Sequence, residues 1–211
     1  LVGSEMCIRD RLVAGIAFLA YKRSGFFDSK LAIPFIIGSM PAALIGGYLR
    51  VNDDIYDILL SVTLVVAALK LYTTKSDMSV NSFSNRPPVH IALIVGAVIG
   101  LLSGIIGVGG GIFLSPVILL FGWSDPKTTA GVAAVFIWLN SAAGLIGSSL
   151  SGQNVIEIGV LIPFALAVLI GGYLGSKFGS EKFSQNLVKN LLISVMLIAA
   201  TRQILALIGL L

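Results

Sequence analysis

Five glycines fall within eight positions of one apolar run, Gly104, Gly107, Gly109, Gly110 and Gly111, and Pro116 follows them. A glycine inside a helix costs roughly 1 kcal/mol against alanine, so the four at 107–111 break the helix and free backbone N–H and C=O groups. The flanks are membrane-grade, with no Asp, Glu, Lys, Arg or His from 91 to 122. Broken backbone at bilayer depth survives only where protein packs around it or a polar cavity meets it. The chemistry that such a break offers is anion binding. A helix restarting near Gly111 and Ile112 points unpaired N–H groups and the positive end of its dipole into the gap, and the glycines let a ligand approach the backbone. A sulfonate, sulfite or carboxylate fits there. The competing role for the same glycines is close helix packing. Phosphate loops are excluded: no Lys-Ser or Lys-Thr follows the run, and Ile112 stands where a dinucleotide fingerprint needs its third glycine.

Downstream, the polar groups are Thr128, Thr129, Asn140, Ser141, Ser148 and Ser149. Helical hydroxyls often bond their own i−4 carbonyl. Asn140 differs, because a buried amide needs partners, and it is a candidate substrate contact beside Thr129. Asp125 and Lys127, after Trp123, read as interfacial anchors, and Glu157 and His90 as solvated segment ends. Gly144 reads as a packing glycine whose change to alanine costs stability. Catalysis lacks its raw material. From 91 to 211 the acids are Asp125, Glu157 and Glu181, none in mid-segment, so no acid–base pair converges and the chain is not an enzyme. One cysteine, Cys7, and one histidine, His90, exclude a disulfide framework, a metal cluster and a histidine-based triad, and no cofactor is implied.

The elements that must position these groups are apolar segments. Of 211 residues, 56% are hydrophobic and 11% charged, against about 25% charged in a soluble domain. The chain is an all-α polytopic membrane protein. Its net charge of +4 is spread between apolar runs as a topology signal, which excludes nucleic acid as a partner and makes the lipid bilayer the surroundings.

The segments lie at 12–21, 31–49, 55–72, 91–106, 112–121, 128–150, 155–174 and 187–211. Residues 112–121 make about 15 Å of helix, half a ~30 Å hydrocarbon core, and cannot cross alone. Residues 12–21 are equally short, and their missing half would draw on Glu5, Arg9, Asp10 and Arg11, each costly at depth. Residues 1–11 therefore read as a non-native start. Leu44-Ile45-Gly46-Gly47-Tyr48-Leu49 recurs as Leu169-Ile170-Gly171-Gly172-Tyr173-Leu174, and each copy follows an Ile-Pro-Phe. This divides the chain into a partial first repeat at 12–72, a cytoplasmic linker at 73–90 and a second repeat at 91–211 whose glycine hairpin spans 91–122. The first repeat's hairpin is expected upstream of the residues present. Lys22, Arg23 and Lys30 follow the first copy's opening segment, whereas the equivalent loop in the second copy is free of basic residues; Lys177, Lys182 and Lys189 then face Arg50 with three aspartates. By the positive-inside rule the copies are inverted. This threading puts Lys22, Lys75 and Lys177–Lys189 in the cytoplasm and Gln153 and the C-terminus in the periplasm. The chain enters at His90 and is back by Lys127, so 91–121 goes in and returns with the glycines at its tip.

The residues Gly104-Ile-Ile-Gly107-Val-Gly109-Gly110-Gly111-Ile-Phe-Leu-Ser-Pro116, then Gly122-Trp-Ser-Asp-Pro-Lys-Thr-Thr129-Ala130, then Asn140-Ser-Ala-Ala-Gly144 resemble the second-repeat signature of the TauE/SafE sulfite exporter family. The resemblance runs from about 12 to 211. It implies a multi-pass protein of the bacterial cytoplasmic (inner) membrane that moves sulfite, sulfonates, thiosulfate or related anions as a secondary transporter, with a homodimer as a candidate assembly. The expected substrate-binding residues are Gly107, Gly109, Gly110, Gly111, Ile112, Pro116, Thr129 and Asn140. An anion channel and a non-transporting membrane assembly subunit are the other functions open to the same residues.

Overall fold

A computed structural model describes the backbone of residues 2–49, 86–107, 109–151 and 158–207. The apolar segment at 55–72, most of the linker, and Glu157 and Gln153 lie outside the described residues. The described elements are all helices: α1 (Val2–Arg23), α2 (Ser29–Tyr48), α3 (Val89–Ile106), α4 (Gly111–Leu120), α5 (Pro126–Leu150), α6 (Ile158–Glu181) and α7 (Gln185–Leu207). Three of them, α2, α3 and α5, are long and apolar enough to cross a membrane. Aspartates start two of these. Asp28 accepts hydrogen bonds from the N–H groups of Lys30 and Leu31 at 3.0 and 3.3 Å, and Asp125 from those of Lys127 and Thr128 at 3.1 and 3.0 Å. Each satisfies donors that a first helical turn leaves orphaned.

Glycine decides how the helices pack. A Cβ on Gly96 would run into the carbonyl of Phe35, one on Gly100 into that of Ser39, and one on Gly104 into that of Ala43. Four-residue steps on both helices, taken in the same order, make α2 and α3 parallel and bring their backbones into contact, the arrangement that small residues at this spacing permit in lipid. Gly131 meets Phe26 and Gly147 meets Leu44, so α5 runs parallel to α2 as well. On the other face, Gly15 packs on Trp138 while Tyr21 reaches Gly131, which makes α1 antiparallel to α5. Gly172 meets Val13 and Gly179 meets the Tyr21 hydroxyl, so α6 runs with α1 and against α2. The two copies of Leu-Ile-Gly-Gly-Tyr-Leu thus point in opposite directions, as the charge pattern predicts.

Because α3 and α5 start from the same end, α4 must return between them. Trp123, just beyond α4, is back beside Phe35, with ring centroids 5.8 Å apart. It lines a mouth of about 660 Å3 with Asp28, Arg86 and Asp125, where Arg86 and Asp28 form a 3.0 Å ion pair. Lys22, Arg23, Lys30, Lys127, Lys177, Lys182 and Lys189 sit at helix ends around this same end of the bundle. Residues 2–11 continue α1 without a break, in one helix with the apolar 12–21.

Candidate anion site at the glycine break

The break forms where two left-handed glycines meet two helix ends. Gly107 (φ 72°) terminates α3, its N–H donating to the Ser103 carbonyl at 2.8 Å, and Gly110 (φ 76°) precedes α4 with no side-chain cap. Both conformations are strained for a residue with a Cβ. The Gly110 carbonyl accepts from Phe113 and Leu114, each at 3.1 Å. The N–H groups of Gly111 and Ile112 belong to a first turn that no helical carbonyl reaches. Pro116 lies inside α4 and has no N–H, so the Ile112 carbonyl loses its helical donor as well. A turn this rich in free polar groups is what the glycine spacing predicts.

Its depth follows from α5. Phe136 and Ile137 border Gly110 and Gly111, ten and eleven residues beyond Pro126, or about 15 Å along α5 from its start at 1.5 Å per residue and well inside the bundle. One wall of the break opens on a cavity of about 430 Å3 between α1, α4, α5 and α7. Gly109, Gly110, Gly111 and Ile112 line it with Ser115, while Ala130, Ala133, Ala134 and Ile137 make it mostly apolar. That volume lies within the ~300–1,000 Å3 of ordinary ligand sites. Of the expected binding residues, these four share the cavity; Gly107, Pro116, Thr129 and Asn140 do not line it.

Asn140 and Ser141 stand on the other wall. Each is 1% exposed, and Asn140 Oδ1 and Nδ2, Ser141 Oγ and Thr129 Oγ1 are buried without a hydrogen-bond partner. Ser141 Oγ lies against Gly109, 2.6 Å from where a Cβ would stand. Asn140 falls one turn from Phe136, which touches Gly110, and one turn from Gly144, which sits beside Gly104. Positions four apart share a helix face, so Asn140 faces the last turn of α3.

Two contacts come from a stretch that the sequence reading sets aside. Asp10 Oδ2 accepts the Gly109 N–H at 3.0 Å, and Cys7 Sγ donates to the Gly107 carbonyl at 3.2 Å. Their signal is the 3–4 spacing of Cys7, Asp10, Ala14, Ala17 and Tyr21, one stripe of α1. Asp125 and Lys127 are more than interfacial anchors. Gln185 donates to Asp125 Oδ1 at 2.7 Å and accepts the Lys127 N–H at 2.8 Å, while Lys127 Nζ, buried, donates to the Ser180 carbonyl at 3.0 Å and sits 4.7 Å from the Phe26 ring centre. These bonds tie the start of α5 to the α6–α7 turn. Ser149 follows the common pattern, bonding the Leu145 carbonyl at 2.7 Å.

The arrangement can hold an anion's oxygens on backbone N–H groups at mid-depth of a helical bundle, with apolar walls around the rest. The chain is 34% identical over 191 residues to "Probable membrane transporter protein y4hK" of Sinorhizobium fredii, covering 90% of this chain and 76% of that one. It is 25% identical over 189 residues to "Probable membrane transporter protein YunE" of Bacillus subtilis, covering 80% of this chain and 65% of the relative. No solved structure matches. The model of the family described as "Sulfite exporter TauE/SafE" matches residues 12–202, the stretch that contains the hairpin, the break and both copies of the repeat, and the chain belongs to that family of membrane transporters.

Proposed function

We propose that the protein is a secondary transporter of small sulfur-containing anions, sulfite, sulfonates or thiosulfate, across the bacterial cytoplasmic membrane, with the anion held at the start of α4. The observation that carries this reading is the Gly109 N–H, which donates to a carboxylate at 3.0 Å in the wall of a mid-depth cavity. The Asp10 carboxylate is itself an oxyanion, and it stands where a substrate's oxygen would. Backbone donors fixed before the ligand arrives cost little reorganisation and favour negative charge at a helix start. The apolar lining suits the organic part of a sulfonate better than it suits a bare inorganic ion.

The direct test is binding. Purified protein in detergent is expected to show a saturable thermal shift with sulfite, thiosulfate or sulfoacetate, tighter in Asp10→Asn, where the competing charge is gone. No shift with any of the three in either protein sinks the substrate class.

Orientation gives a second test. The basic cluster at the end that holds Asp28 and Asp125 belongs in the cytoplasm by the positive-inside rule, with the C-terminus on the periplasmic side. In a Cys7→Ser background, Gln153→Cys is expected to react with an impermeant thiol reagent on intact cells, whereas Lys182→Cys is expected to react only after lysis. The opposite pattern overturns the threading.

A further inference from the structure

A broken helix has two ends, and the anion reading uses one. At the other, α3 stops at Gly107, so its last carbonyls have no helical donors ahead of them and the negative end of its dipole faces the break. The Gly107 carbonyl accepts from the Cys7 thiol at 3.2 Å, a weak donor. Around the break are side chains that a packed interior does not leave idle: Asn140, toward the last turn of α3 with both amide atoms unpartnered, and Ser141, with an unpartnered hydroxyl against Gly109. Both are 1% exposed. A buried amide and hydroxyl with nothing to bond are costly, and such groups in a native fold call for a partner, an ion among the candidates.

The occupant's chemistry follows from the atoms. Asn140 Oδ1, Ser141 Oγ and the Gly107 carbonyl are neutral oxygens around the break, Asn140 on the face of α5 toward the last turn of α3 and Ser141 against Gly109. Hard cations take oxygen ligands, and half-helix C-termini with unwound carbonyls hold monovalent ions inside membrane proteins. A divalent or transition metal would draw on a cluster of carboxylates, imidazoles or thiolates, and none gathers among the described residues. We propose that the end of α3, with Asn140 and Ser141, is a monovalent-cation site of the sodium class, one turn of backbone away from the anion at the start of α4. Cation and anion then occupy opposite dipole ends of a single break, and each lowers the electrostatic cost of the other. Binding of one raises affinity for the other by the same factor, which makes the cation the coupling ion of the transport cycle. The coupling rests on the anion reading above; the cation site itself does not.

The test uses the full chain in detergent, with sodium chloride replaced by choline chloride at constant ionic strength. With no anion substrate added, sodium is expected to raise the melting temperature saturably in the wild type. Asn140→Leu is expected to lose that response, moving half-saturation at least tenfold, while melting in choline no lower than the wild type, because it deletes two unpaired buried atoms. A merely structural asparagine would instead lower the melting temperature in both salts. Ser141→Ala, which removes one atom and keeps the helix, is the second variant and is expected to weaken the sodium response. An absent sodium response in the wild type, or one unchanged in both variants, overturns the site. In a second arm, sulfoacetate affinity is expected to be at least tenfold higher in sodium than in choline. Equal affinities overturn the coupling. Absence of sulfoacetate binding in either salt, with the sodium response intact, counts against the anion reading and leaves the cation site standing.

Discussion

Gly110→Ala is expected to weaken anion binding by roughly 5- to 150-fold, the equivalent of about 1–3 kcal/mol. Two costs add at this position. The backbone is left-handed, at φ 76°, which an alanine adopts at a penalty of about 1–2 kcal/mol. Its Cβ would also stand 2.9 Å from Phe136 Cε1 and 3.0 Å from the Ser103 Cβ and Oγ, closer than carbon atoms normally pack. Packing and binding can be told apart by relieving only the first. Adding Phe136→Leu takes away the nearest obstruction, so the double variant is expected to regain part of the lost melting temperature without regaining affinity for sulfoacetate, since the displaced turn no longer presents its N–H groups. Unchanged affinity in Gly110→Ala would leave the glycines as packing residues and remove the site from this break.

Gly100→Ala is expected to do more damage to the fold than any change at the break. Its Cβ would lie 2.6 Å from the Ser39 Cα and 2.8 Å from the Ser39 carbonyl carbon, which are backbone atoms that cannot turn aside. Either α2 and α3 part along their whole contact or the methyl is not accommodated; a loss of about 3 kcal/mol or more follows, at the upper end of what overpacking costs. The measurement is the yield of monodisperse protein and its melting temperature, and a wild-type profile would refute the packing described. Gly144→Ala supplies the contrast. The sequence reading expects it to cost stability, but a Cβ there would find the Gly104 Cα at 3.8 Å and the Cys7 Sγ at 4.0 Å, ordinary contact distances. What packs at Gly144 is its carbonyl, against Gly47, and alanine leaves that carbonyl in place. The near-neutral outcome expected for Gly144→Ala replaces the earlier expectation.

These two glycines mark the limit of what the residues announce. That 107–111 cannot stay helical follows from local cost, and the break needs no partner to be foreseen. The opposite directions of α2 and α6 are legible too, because basic residues carry their own orientation signal. Whether a glycine is pressed against a neighbour's backbone depends on a helix dozens of residues away, so Gly100 and Gly144 look alike in the sequence. Asp10 was hidden for a different reason. Charges in a short apolar segment count as costs until the N–H that receives them is known, and Gly109 lies ninety-nine residues further on. Asn140 stood out by type alone, whereas its placement opposite α3 required the packing of Phe136 and Gly144.

The ten residues of α4 constrain how this protein can be made. As the chain emerges, α3 is long enough to be released into the bilayer by itself, while α4 is too short to be recognised as a span. A membrane-insertion machine reading the segments one by one would place Trp123 and Asp125 on the far side. The finished bundle holds them beside Asp28 and Arg86. The return of α4 therefore depends on contacts made by later residues: Lys127, at the start of α5, is held by Gln185 and Ser180.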